Sequence, residues 1–272
     1  MLYAVVPSLL MNLYITGLNQ ITDVEIDKVN KPYLPIAAGE LSRPTATLVV
    51  IAALIASLWM GRAHAVLGSQ GLNMALWGSG ILGTLYSLPP FRLKRFPLLA
   101  AFCIVAVRGV VINASFFAHA QTAAFGVRGS VLDFLYRDPK CLLSCLFFGV
   151  FGVVIALMKD VPDVEGDEIA QVRTFSVRAG QERIFSWMAK LLAGWLGVYG
   201  VGFLVASVNA VQLHPMLAMT RLVVSGLALA GAQSVTNQAK GVNPKDTDQV
   251  YAYYMHLWKI FYLCYASLPF AR

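Results

Sequence analysis

The sequence predicts an all-α protein, a polytopic membrane helical bundle with about eight transmembrane helices, on three observations. Of 272 residues, 58% are hydrophobic and only 13% charged, with a mean hydropathy of +0.65, whereas an average soluble domain carries roughly 25% charged residues. Apolar runs recur at 1–18, 46–67, 72–90, 97–120, 139–158, 184–207, 215–234 and 249–270, each long enough to cross a hydrocarbon core about 30 Å thick. Only short polar breaks separate them, and no hydrophilic block of domain size intervenes, so residues 1–272 are expected to form a single helical domain.

In chain order, run 1–18 starts at Met1 without a basic flank or a small-residue cleavage site, so it is read as a helix and not as a signal peptide. Run 97–120 contains Arg108 and Cys103, run 139–158 contains Cys141 and Cys145, and runs 184–207 and 249–270 contain Lys190, Lys259 and Cys264. The cysteines lack a metal-type CxxC spacing and are read as small buried hydrophobes. A charge inside a span costs ~2.5 to 3.5 kcal/mol on insertion scales, so the three cations should face the bundle interior or snorkel; Lys190, near its helix start, snorkels. His64, His119, His214 and His256 share no ligand spacing and are read as structural.

Alternation of the breaks puts 19–45, 91–98, 159–183 and 235–248 on one face. That face holds Lys28, Lys31, Arg43, Arg92, Lys94, Arg95, Lys159, Arg173, Arg178, Arg183, Lys240 and Lys245, about twice the number on the opposite face. By the positive-inside rule it points to the cytoplasm or, in a plastid, to the stroma. The net charge of +7 is spread over membrane loops and not along one helix or arm, which excludes a nucleic-acid reading and fits membrane lipid or an anionic substrate.

The same face carries most of the acids, concentrated in two windows. In "LNQITDVEIDKVNKPYLPIAAGELS" (18–42), Asn19, Asp23 and Asp27 recur at i, i+4 and i+8, one stripe of a helix continuing out of the first run. In "KDVPDVEGDEIAQVRTFSVRAGQ" (159–181), Asp160, Asp163 and Asp167 recur at i, i+3 and i+7, again one stripe if the helix survives Pro162. Crowded carboxylates repel one another and persist where a cation regularly binds. Hard oxygen ligands of this kind suit Mg²⁺, which uses one or two carboxylates and takes its other ligands from substrate phosphates. Lys31, Arg92, Lys94, Arg95, Lys159 and Arg173 could balance the remaining charge of a diphosphate.

These windows resemble the aspartate-rich motifs of the UbiA superfamily of intramembrane prenyltransferases, and the likeness covers nearly the whole chain. The 19–42 stretch is similar to the first motif of the plant and cyanobacterial homogentisate prenyltransferase branch, as are "GTLYSLPPFRLKRFP" (83–97), "KDVPDVEGD" (159–167) and "WKIFYLCYASLPFAR" (258–272). "VEIDKVNKPYLP" and "RTFSVRAGQERIF" resemble the phytyl- or geranylgeranyl-transferring members more than the solanesyl-transferring ones, while flavonoid and coumarin prenyltransferases leave the acceptor open.

The resemblance implies Mg²⁺ as cofactor, a prenyl diphosphate donor and an aromatic acceptor such as homogentisate, which also loses CO₂, in the tocopherol and tocotrienol route of a plastid membrane. It assigns Asn19, Asp23, Asp27, Asp160, Asp163 and Asp167 to metal and diphosphate. It assigns Lys31 and Arg173 to phosphate, and Tyr86, Arg92 and Lys94 to a loop closing over the site, with the choice between Lys94 and Arg95 open. Family members have nine helices and this chain starts at what looks like the second, so a missing first helix is expected. A transporter, the main rival, would carry its acids at mid-membrane and not at loop mouths.

Overall fold

The structure, a computed structural model, describes residues 2–63, 69–169, 172–212 and 214–271; His64 and the end of run 46–67 lie outside them. Among the described residues the regular structure is entirely helical. In chain order the first elements are α1 (Leu2–Thr22), the short α2 (Val24–Asn30), α3 (Arg43–Ala63) and α4 (Gln70–Ser87). One long rod follows: α5 (Pro97–Ile104), a π-helical stretch (Val105–Val111) and α6 (Ile112–Phe125) run without a break. Then come α7 (Val131–Arg137), α8 (Pro139–Lys159), α9 (Val164–Ile169), α10 (Phe175–Ala179), α11 (Gln181–Ala210), α12 (Pro215–Ala239) and α13 (Thr247–Ser267).

The eight expected spans are therefore α1, α3, α4, the rod Pro97–Phe125, α8, α11, α12 and α13. Five stretches, Arg43–Arg62, Pro97–Phe125, Pro139–Lys159, Gln181–Ala210 and Pro215–Ala239, are long and apolar enough to cross a membrane. The other three helices dilute their apolar residues with Ser, Thr, Asn, Gly and Tyr. The protein is a polytopic membrane helical bundle.

The chain divides into two compact units, one made of residues up to Gly152 with Glu165–Thr174, the other of Val153–Val164 with the chain from Phe175 on. In the first, α1 packs on α3 and α4 around Met11, Tyr14, Val50, Leu72 and Leu76. Lipid supplies no hydrophobic drive between helices, so close backbone approach through small residues must supply contact. A Cβ on Gly71 would lie 2.4 Å from the carbonyl oxygen of Ser115, and one on Gly109 would lie 2.9 Å from Cα of Gly149. The π-helical stretch leaves carbonyls displaced from the regular ladder; the buried Asn113 donates its Nδ2 to the carbonyls of Arg108 and Gly109.

In the second unit α11 and α12 are stitched by serines. Ser225 Oγ donates to the carbonyl of Gly200 and Ser207 Oγ to that of Ala218, both at 2.7 Å. The Tyr253 hydroxyl on α13 donates to the carbonyl of Val235 at 3.3 Å, and its ring lies 5.0 Å from that of Phe185.

One sequence expectation is corrected here. Asp160, Asp163 and Asp167 do not share one uninterrupted helical stripe: α8 ends at Lys159, residues 160–163 form a turn, and α9 begins at Val164. Pro162 has no N–H to continue the ladder and disfavours helical geometry at Val161, so the chain closes with an i to i−3 bond from Val161 N–H to the Met158 carbonyl at 3.3 Å and restarts.

Candidate active site

The first motif keeps its row although the helix is interrupted. Asp23 leaves helical geometry with φ −114° and ψ 15°, separating α1 from α2. The i to i−4 bonds nevertheless continue: Asp23 N–H to Asn19 at 3.0 Å, Asp27 N–H to Asp23 at 2.8 Å, and Lys31 N–H to Asp27 at 2.7 Å. Asn19, Asp23, Asp27 and Lys31 therefore stand one above the other. Asp23 and Asp27 are each only 8% exposed, which for two carboxylates in sequence costs several kcal/mol of hydration unless cations compensate. Glu25 stands apart. Exposed, it accepts from Lys28 at 3.0 Å and Arg43 at 2.8 Å, and the hydrogen bond and charge of Lys28, with Arg43, hold its carboxyl below the usual range. Of the three clustered acids, two belong to the site and one to the surface.

The compensating cations come from the loop after α4. Arg92 Nη2 donates to Asp23 Oδ1 at 3.0 Å; Lys94 Nζ pairs with Asp23 Oδ2 and donates to Asn19 Oδ1 at 3.0 Å. The Lys94 side chain is 11% exposed, whereas Arg95 is exposed, so Lys94 is the member of that pair directed at the site. Arg92 is the one described non-glycine residue with positive φ, at 38°, a left-handed conformation costing about 1 to 3 kcal/mol that is retained where surrounding structure fixes it. Its Nε is buried without a hydrogen-bond partner, a donor suited to an anion's oxygen. Tyr86 is half-buried on the last turn of α4.

Three residues outside the sequence-predicted set complete this arrangement. Ser87, fully buried, donates to Asn19 Oδ1 at 3.2 Å and so fixes the amide that Lys94 also grips. Asn30, three residues after Asp27, accepts from the backbone N–H of Gly166 at 3.0 Å. This bond ties the second motif to the end of α2 and brings the backbone of the buried Asp167 there with it. Gly166 is required at that contact, since a Cβ would lie 2.3 Å from Asn30 Oδ1. Arg173 follows in an exposed link of the same unit. Local composition offered no signal for the Asn30–Gly166 contact, which joins positions 136 apart in the chain.

Lys159, Asp160 and Asp163 form a cluster of their own in the second unit. Lys159 Nζ lies 2.9 Å from Asp160 Oδ1 and 3.4 Å from Asp163 Oδ2, with Asp163 buried. Gln181 donates to the carbonyl of Val161 at 2.8 Å and holds this turn against the start of α11. All of these acids lie at or beyond the ends of the long helices, as the sequence required, and none within a span.

Oxygen donors without soft ligands, a buried carboxylate row and flanking cations are a donor set for a hard divalent ion shared with an anion. Among the described residues no group of three His, Cys, Asp or Glu side chains is already gathered at metal-binding spacing, and a hard divalent ion completes its shell with water and the oxygens of a bound anion.

The UbiA prenyltransferase family matches residues 1–262. The chain is 42% identical over 273 residues to homogentisate phytyltransferase 1, chloroplastic, of Arabidopsis thaliana, covering all of this chain and 65% of that protein. It is 38% identical over 274 residues to homogentisate geranylgeranyltransferase of Hordeum vulgare, again over the whole chain and 62% of the relative. It thus spans a little under two thirds of the length of these relatives. A UbiA homolog from Archaeoglobus fulgidus bound to GPP and Mg²⁺ has the same fold, with TM-score 0.60 over 98% of this chain and 88% of that one at 18% identity. Sequence match, fold and motif geometry agree: the chain belongs to the UbiA prenyltransferase family.

Proposed function

We propose that this protein is a Mg²⁺-dependent intramembrane prenyltransferase that moves a phytyl or geranylgeranyl group from its diphosphate to homogentisate, in a plastid membrane with the aspartate motifs facing the stroma, as one domain over residues 1–272. The observation that carries this reading is the row Asn19, Asp23, Asp27 and Lys31, with both carboxylates buried, Asp23 gripped by Arg92 and Lys94, and Asn30 joining the row to the Asp167 segment.

Each residue has a definite task. Asp23 and Asp27, with Asp160, Asp163 and Asp167, would hold Mg²⁺, whose chemistry is to neutralise diphosphate charge and make it a better leaving group. Arg92 turns its unpartnered Nε–H and its guanidinium toward phosphate oxygens; Lys94, Lys31, Lys159 and Arg173 add positive charge, and Tyr86 closes the loop over the substrate. As the allylic C–O bond breaks, the electron pair leaves with diphosphate, and the acceptor ring supplies the pair for the new C–C bond. The apolar helix walls exclude water that would otherwise capture the allylic cation.

The test is to incubate membranes containing this chain with labelled phytyl or geranylgeranyl diphosphate and homogentisate, with Mg²⁺ or with excess chelator. Prenylated product that requires both Mg²⁺ and homogentisate is expected. Product formation unaffected by chelation would overturn the metal assignment, and no product with any aromatic acceptor would overturn the activity.

A further inference from the structure

The aspartate row of the first motif carries its own cations. Asp23 and Asp27 contribute two buried negative charges. Against them stand the Arg92 guanidinium and the Lys94 ammonium, both on Asp23, with Lys31 one turn beyond Asp27. The chain's own bases thus balance the acids of the row, and a bare divalent ion entering there meets no surplus of negative charge.

The two bases hold Asp23 in different ways. Arg92 reaches Oδ1 at 3.0 Å from a backbone set in the left-handed region at φ 38°. Lys94 pairs with Oδ2 and donates to Asn19 Oδ1 at 3.0 Å. These two oxygens, one carboxylate and one amide, are the hard donors that a divalent ion takes. Asn19 Oδ1 also accepts from the Ser87 hydroxyl at 3.2 Å, so both of its lone pairs are engaged, one of them by Lys94. The Lys94 and Asp23 side chains are only 11% and 10% exposed, which leaves little water to screen an ammonium from a divalent ion on the same oxygens. Lys94 and the ion are therefore rivals for one position.

We propose that Lys94, by its place on Asp23 and Asn19, makes divalent-ion binding conditional on a diphosphate. This rests on the prenyltransferase reading above and adds to it the order in which the ligands are taken. A diphosphate brings negative charge and acceptor oxygens that draw a lysine on its flexible four-carbon stem, whereas Arg92 stays on its fixed backbone. With the ammonium drawn to phosphate, Asp23 Oδ2 and Asn19 Oδ1 are released to the ion. Ion and diphosphate then bind with positive coupling, each raising the affinity for the other by the same factor. The exposed Arg95 takes no part in the exchange.

Equilibrium dialysis of the protein in detergent measures bound Mn²⁺, which shares the octahedral oxygen preference of Mg²⁺, with and without inorganic diphosphate at matched free Mn²⁺. Wild type should bind Mn²⁺ weakly alone and about 10- to 100-fold more tightly with diphosphate, within the range of linked sites. Lys94→Met should bind Mn²⁺ alone about tenfold more tightly than wild type, and its coupling to diphosphate should shrink to about threefold or less. Lys94→Gln should shift in the same direction, whereas Lys94→Arg, which keeps the charge, should not. The gained Mn²⁺ should disappear in Asp23→Ala/Lys94→Met. Arg95→Met, an equal loss of charge on the exposed neighbour, should bind as wild type does. Unchanged or weaker binding of Mn²⁺ alone in Lys94→Met, or an equal gain in Arg95→Met, would overturn the proposal. The readout does not depend on turnover. If wild type binds Mn²⁺ with diphosphate and Lys94→Met gains nothing alone, only the role of Lys94 fails; if wild type binds no Mn²⁺ with diphosphate, the metal assignment above fails and this proposal with it.

Discussion

Gly166→Ala would place a methyl group 2.3 Å from Asn30 Oδ1, 2.6 Å from its Cγ and 2.7 Å from its Nδ2, far inside van der Waals contact. The Asn30 amide is the mobile partner, but it is held by the bond from Gly166 N–H at 3.0 Å. Swinging it away loses that hydrogen bond, about 1 kcal/mol, and leaves a buried N–H without a partner at about 1 to 3 kcal/mol. Alanine's better helix propensity returns about 1 kcal/mol, so net destabilisation should stay near 1 to 3 kcal/mol. Activity should suffer more than stability, since Asp167 is the next residue and a 1 Å misplacement of a catalytic group can cost about 100-fold, so prenyl transfer in membranes is expected to fall about 10- to 100-fold. Asn30→Ala removes the obstructing amide together with the bond, so Asn30→Ala/Gly166→Ala should match Asn30→Ala within about threefold, a strongly non-additive cycle. Losses that multiply in the double variant would refute the claim that this contact positions the second motif.

Asp23→Ala should abolish turnover, by about 1,000-fold or more, while the protein still purifies as a folded monodisperse species; near-normal kcat would show the row to be structural. Lys94→Met should cut kcat/KM at least about tenfold and Arg95→Met less than about twofold, because only Lys94 reaches Asn19 and Asp23; steady-state kinetics of the two variants side by side decides it. Arg92→Gly and Arg92→Ala both remove the guanidinium, but only glycine accepts φ 38° without strain. The two should therefore be equally inactive, with the glycine variant about 1 kcal/mol the more stable in thermal melts.

The spans were legible because lipid leaves so few solutions: each long apolar run became a helix, with bounds shifted by a few residues, as where α3 starts at Arg43 and α12 continues through Gln233–Ala239. The first motif was legible for the same geometric reason, since i+4 spacing survives whether or not helical dihedral angles hold at Asp23. The second stripe was not, because Pro162 decides between kink and break through its neighbours' bonds, which single-sequence periodicity does not contain. The π-helical widening at Val105–Val111 left no mark in hydropathy. Lys94 and Arg95 are adjacent cations in the sequence, and only the fold separates them, burying Lys94 against Asn19 and Asp23 and leaving Arg95 exposed. Asn30 and Ser87 went unread because each acts through a partner distant in sequence, Gly166 and Asn19.

The unbroken i to i−4 bonds through Asp23 carry a consequence for what the chain can tolerate in length. Substitutions along Asn19–Lys31 change one group each, but a single inserted or deleted residue would rotate everything beyond it by about 100°. Asp27 would then leave the row, Lys31 would point elsewhere, and Asn30 would release Gly166. This segment behaves as a fixed-pitch thread in which spacing, as much as residue identity, is under constraint. The turns at 37–42, beyond the row and beyond the buried Ile36, are where variation in loop length can be absorbed.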